Sequence, residues 1–171
     1  IGQLTYSMRR GNTLNIDGTN SSWSGGFVGN CVDIISSNLP NGIEPGVNNA
    51  FGTGDVTLND GVRLVIPGGL SDTIDDGATL NLDGARARDG HKLVLGSDET
   101  VGLLNRNGFP YPSGTYGEIG SGATYEHSWI SGSGILTVAS DNGDATGPVT
   151  LALSPVDDAA AHGDELRGVG Q

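Results

Sequence analysis

Aromatic side chains are scarce in this chain: two Trp, four Tyr and three Phe among 171 residues, with a single Met. A thick core built on large apolar side chains is therefore excluded. A fold of thin repeated layers remains open, because each layer buries only a few branched aliphatics. Lysine occurs once, as Lys92, beside seven arginines, against 20 Asp and Glu. The formal charge is −12, and apart from Arg9-Arg10 and Arg86/Arg88 the cations are dispersed. A phosphate-binding surface needs a basic patch, so nucleic acid is not an expected partner. Cysteine also occurs once, and Cys31 has no partner for an internal disulfide. It reads as a small buried hydrophobe. No run of residues is apolar enough to span a bilayer. The opening stretch, IGQLTYSMRR, has no apolar h-region and does not read as a signal peptide. A secreted protein with this sequence would start after cleavage or be a fragment.

Glycine, by contrast, is abundant, at 30 residues, and the hydrophobic share is only 35%. Low hydrophobicity with high charge is also the signature of disorder. The apolar residues are not scattered, however. They recur as period-2 pairs at Leu14/Ile16, Val32/Ile34, Val56/Leu58, Leu64/Ile66, Leu80/Leu82, Leu93/Leu95, Leu136/Val138 and Val149/Leu151/Leu153. Short alternation bounded by Gly, Asn and Asp predicts strands. Gly61, Gly77, Gly84 and Gly90 each follow an Asp in a turn triplet, where a glycine accommodates the positive φ of tight turns. Helix is predicted only in the tail, where Asp157 and Asp158 precede Ala159 to Ala161.

The strand segments resemble one another. NTLNIDGTN, GDVTLNDGVRLVI and GATLNLDGARA share a frame of apolar alternation followed by a turn. Self-similarity predicts a repeat architecture. The expected fold is all-β, a short parallel β-helix (β-solenoid) with degenerate repeats; an antiparallel β-sandwich is the alternative. Residues 1–138 form the expected solenoid module, with an aromatic C-terminal cap over about 112–138. Residues 139–171 form an acidic tail with one extra strand at 148–154, an assembly segment or a linker.

The segment Asn49 to Ile66, NAFGTGDVTLNDGVRLVI, resembles the unit of autotransporter-associated β-strand repeats. Asn12 to Val28 and Gly77 to Gly84 are similar to further units of it, with Trp23 in place of a usual Tyr. Asn105 to Gly117, Ser121 to Tyr125 and Ile130 to Val138 resemble the segment that closes the repeat region in planctomycete- and verrucomicrobia-type surface β-helix proteins. The resemblance covers most of Asn12 to Val138 and implies an extracellular right-handed parallel β-helix with a structural, adhesive or display role. It implies no catalytic residue. It also places Tyr116, Tyr125 and Trp129 over the end of the stack.

Candidate sites are few. Asp72, Asp75 and Asp76 form one oxygen-rich turn, and Asp141 and Asp144 another. Calcium takes about six to eight oxygens from such loops, although neither fits an EF-hand. Solvent-facing turn carboxylates are the plainer reading. Trp23, Tyr111, Tyr116 and Trp129 offer rings for stacking on sugars, with core or solenoid-end packing as the competing use. His91, His127 and His162 are isolated, no spacing supports zinc, and no nucleophile elbow is present. The expected function is therefore non-enzymatic: a secreted or bacterial cell-surface structural module, self-associating head to tail, with no cofactor other than candidate calcium. A carbohydrate-binding module contacting surface glycans is the alternative.

Overall fold

The computed structural model describes residues 2–9, 11–20, 22–31, 41–84 and 91–141. Among them it is all-β, with three mostly parallel sheets. The first sheet contains β1 (Leu4–Met8), β3 (Phe27–Cys31), β5 (Val56–Leu58), β7 (Thr79–Leu82), β10 (Leu103–Arg106) and β11 (Phe109–Tyr111), in that order. The second contains β2 (Thr13–Ile16), β4 (Asn41–Pro45), β6 (Val62–Ile66), β8 (Leu93–Leu95) and β14 (Ile130–Ser131). A third, smaller sheet takes β9 (Glu99–Val101), β15 (Leu136–Val138), β12 (Gly114–Gly117) and β13 (Tyr125–Glu126). From β1 to β8 the chain alternates strictly between the first two sheets.

The alternation in sequence explains the register. Inward positions line up into columns: Leu4, Phe27, Val56, Leu80 and Leu104 in the first sheet, and Leu14, Ile43, Leu64, Leu93 and Ile130 in the second. A one-residue slip would turn each column to solvent, so burial fixes the pairing. Each fully buried aliphatic contributes roughly 1.5–3 kcal/mol. Few aromatics are needed because Leu, Ile and Val from successive strands fill the space, with Phe27 and Phe51 meeting edge to face at 5.4 Å.

Outward positions carry a polar column. Thr57, Asn81 and Asn105 are neighbours across β5, β7 and β10. Asn81 Nδ2 donates to Thr57 Oγ1 at 3.2 Å, and Asn105 Nδ2 to Asn81 Oδ1 at 2.9 Å. The loops between sheets are stacked as well. Asn20 donates its N–H to the Asn49 carbonyl, Asn49 to Asp72, and Phe51 to Thr73.

An antiparallel sandwich is not what forms. The only antiparallel pairings among the described strands are β10 with β11 and β12 with β15. The first follows from Asn107-Gly108, both at positive φ (53° and 74°), which closes a two-residue hairpin. The expected strands at Val32/Ile34 and 148–154, and the expected helical turn at Ala159, lie outside the described residues.

Candidate functional site

Three features stand out: two buried ionisable side chains, an aromatic stack, and the contrast between the two ends of the sheets.

Lys92 is fully buried just ahead of β8. Its main chain is held by both neighbours, Lys92 N–H donating to the Trp129 carbonyl and Leu64 N–H to the Lys92 carbonyl. The side chain crosses to the other sheet. Nζ donates to the carbonyl of Asn59 at 2.8 Å and of Asp83 at 2.7 Å, the turns that follow β5 and β7. Burial pushes its pKa down to about 8, against the opposing pull of Asp60 and Asp83. The arrangement ties two successive turns together through one cation.

Glu99 is the buried acid. Its carboxylate accepts from Thr73 N–H, Thr73 Oγ1–H at 2.6 Å and Ile74 N–H. Thr73 also accepts from Phe51 on its other side. Where a further loop carbonyl would continue that ladder, a side-chain carboxylate takes its place. Burial raises the Glu99 pKa; the Thr73 and Ile74 hydrogen bonds oppose this, and the charge of Asp72 adds to it.

Other carboxylates do similar work on the surface. Asp55 accepts from Thr79 N–H, Asp83 from Gly108, Asp98 from Ile135 and Glu118 from Gly132. Glu126 accepts from Gly120 and Gly122, which lowers its pKa. The acidity of the chain thus includes a set of acceptors for turn N–H groups, most of them far away in sequence.

The aromatic stack follows the β10–β11 hairpin. Tyr125 lies on Tyr116 with ring centroids 4.8 Å apart, His127 stacks on Trp129 at 5.1 Å, and the rings of Tyr116 and His127 are nearly parallel at 6.0 Å. Tyr111 meets Trp129 edge-on, and the Arg106 guanidinium lies 4.8 Å from the centroid of the Trp129 ring. Tyr116 O–H donates to the Pro112 carbonyl, and burial raises its pKa. Burial and the Arg106 charge lower that of His127.

These positions bear directly on the candidate sugar residues. Tyr116 and Trp129 are buried, so neither offers a ring face to a sugar; Tyr111 is half-buried against them. Trp23 sits apart from this stack, in the loop before β3, its indole N–H directed at the Gly2 carbonyl at 3.3 Å. The four rings do not form one platform.

The candidate calcium residues are also divided. Asp72 is raised in pKa by burial and by the charges of Asp76 and Asp75. Asp75 accepts from Gly77 N–H at 2.9 Å, and Asp141 from Ser113 N–H. Asp144 lies outside the described residues. No group of three or more His, Cys, Asp or Glu placed to hold a metal ion occurs among the described residues.

The two ends of the stack differ. At the start, among the described strands, β1 pairs only with β3 and β2 only with β4. Leu4 and Tyr6, aligned with core columns, are 52% and 40% exposed. At the other end the outermost strands are β11, three residues with Pro110 at the centre, and β13 and β14 of two residues each. Short strands and proline are devices that block edge pairing. No described helix is long and apolar enough to cross a membrane.

Sequence reasoning did not single out Glu99, Arg106 or the buried role of Lys92. The available signal for Lys92 was its singularity; period 2 alone pointed it outward from Leu93. No model of a known protein family, no curated protein and no solved structure matches the chain.

Proposed function

We propose that the chain is a β-solenoid module whose role is structural: an extracellular element for shape, display or assembly. The observation that carries this reading is the strict alternation of β1 to β8 between two parallel sheets in register. Each pair of consecutive strands then constitutes one coil, laid on the coil before. The inward aliphatic columns and the outward Thr57–Asn81–Asn105 column are what stacked coils produce. The buried Lys92 and Glu99 fit the same role, since both bind main-chain groups of neighbouring turns. The resemblance to autotransporter-associated repeats supports a secreted or cell-surface setting and a right-handed coil.

Small-angle scattering of the purified chain tests the reading. A solenoid gives the profile of a short rod, with a cross-section that stays constant when a coil is duplicated. A compact, near-spherical profile refutes it. Glycan-array binding lost on Trp23→Ala would shift the function toward carbohydrate recognition.

A further inference from the structure

We infer that the open edge of β1 is a docking site for the segment Pro148–Ser154 of a second copy of this chain. The inference rests on the solenoid reading and specifies how such modules assemble. Three observations lead to it.

The first is the edge itself. Leu4 N–H donates to the Gly26 carbonyl, so in this parallel pair Leu4 and Tyr6 bond toward β3. The N–H and C=O groups of Thr5 and Ser7 therefore point away from the sheet. Beside them, Leu4 and Tyr6 leave part of the first inward layer uncovered. β1 carries no charge and no proline, the usual protections of an edge strand. The far edge of the same sheet is closed by the Pro110 strand, so direct stacking of one copy's β1 edge on the far edge of another is not offered.

The second is the sequence of the tail. Val149-Thr150-Leu151 repeats the triplet Val56-Thr57-Leu58 that forms β5 in this same sheet, and Leu153 continues its alternation. Laid parallel on β1, Val149 and Leu151 cover Leu4 and Tyr6. The flanks are complementary in charge: Arg9-Arg10 follows β1, and Asp157-Asp158 follows the tail segment. The first sixteen residues contain no acid at all in a chain with 20.

The third is reach. Ser140 N–H donates to Gly102, and Gly102 to Ala78, so the chain leaves the described fold one ladder step beyond β10. The position outside β1 is six steps away, across β10, β7, β5, β3 and β1, or about 29 Å. The nine residue steps from Ser140 to Val149 span about 30–32 Å when straight and fully extended, barely more than that gap. A chain's own tail reaches its own edge under tension, whereas a neighbour's tail reaches it freely. Each copy then has one donor and one acceptor, a heterologous contact that makes filaments or rings.

The test uses light scattering on the full chain, on a Pro148–Ser154 deletion, and on Ser7→Pro, which removes an outward N–H without touching the β3 ladder. The full chain is expected to associate, each variant alone to be monomeric, and the two mixed to form a one-to-one complex. A labelled peptide, Pro148–Asp158, is expected to bind the deletion variant and to dissociate wild-type assemblies, with Ser7→Pro weakening binding by about tenfold. The inference is overturned by a wild-type chain that stays monomeric at high concentration. It is equally overturned by assemblies that survive both changes, or by a peptide that does not bind. A rod-shaped monomer would sink the docking site alone; a compact profile would sink the solenoid reading.

Discussion

The Lys92 ammonium donates to the main-chain carbonyl of Asp83 at 2.7 Å, from the second sheet to a turn of the first. A cation in this place is costly to bury, and its pKa of about 8 records that cost. In the unfolded chain the same group titrates near 10.5. Between these values the folded state binds fewer protons, so stability rises with pH across the window. Urea melts at pH 7.5 and pH 9.5 are expected to show a gain of about 1–3 kcal/mol in wild type. Lys92→Met removes the group and is expected to abolish that gain. Equal pH dependence in both proteins would show that the Lys92 ammonium is not buried.

Glu99 is expected to matter through the donors it satisfies. Glu99→Leu leaves Thr73 N–H, Thr73 Oγ1–H and Ile74 N–H without that acceptor and lowers stability by roughly 2–4 kcal/mol. Glu99→Gln keeps one acceptor oxygen and sets an amide against the remaining donors, so it recovers part of the loss. The pKa of Glu99 is raised, so its contribution is full below the unfolded value of 4.5 and declines as pH rises through the folded one. The deficit of Glu99→Gln relative to wild type is therefore larger at pH 4 than at pH 7. Denaturant melts at the two pH values check the sign, and a deficit that grows with pH contradicts it.

Glycines separate what was readable from what was not. Gly84, in LDG, has the expected positive φ of 77°, and an added Cβ would fall on the Asp60 carboxylate. Gly77, in DDG, looks the same in sequence but does not occupy that region; its N–H is instead bound by Asp75. Gly84→Ala is expected to cost roughly 1–3 kcal/mol and Gly77→Ala clearly less. Thermal melts of the pair decide it, and equal losses would contradict the difference in backbone.

Period-2 pairs marked β2, β5, β6, β7, β8 and β15 correctly, because inward aliphatics there have no substitute. β3 was missed because Gly29 sits at a core position where Ile43 Cδ1 would lie 2.6 Å from any Cβ. β11 to β14 are short and aromatic or glycine-rich, and are shaped by hairpin and stacking contacts rather than by alternation. Glu99 and Lys92 were not readable as buried groups, since their partners are mostly main-chain atoms, about 26 and 33 residues away for Thr73 and Asn59.

His127 supplies the last test, because its ring is part of the stack over Trp129. Its pKa is lowered below 6.5, by burial first and then by the Arg106 charge that also lies over Trp129. Protonation places a second cation against the same indole and separates like charges only by leaving the stack. The unfolded chain binds this proton more readily, so the stability tied to neutral His127 is present above pH 6.5 and is lost as pH falls through the folded pKa. Trp129 fluorescence reports the event, since a charged imidazole 5.1 Å from the indole quenches it. On titration from pH 7.5 to pH 5, wild type is expected to lose emission with a midpoint below 6.5 and to melt earlier at the acid end. His127→Phe keeps an apolar ring in the stack, removes the titration and is expected to flatten both curves. Trp23 emits as well, so the comparison is made in a Trp23→Phe background. A midpoint above 6.5 in that background would mean that the imidazolium is stabilised, and would overturn the arrangement of Arg106, Trp129 and His127 described above.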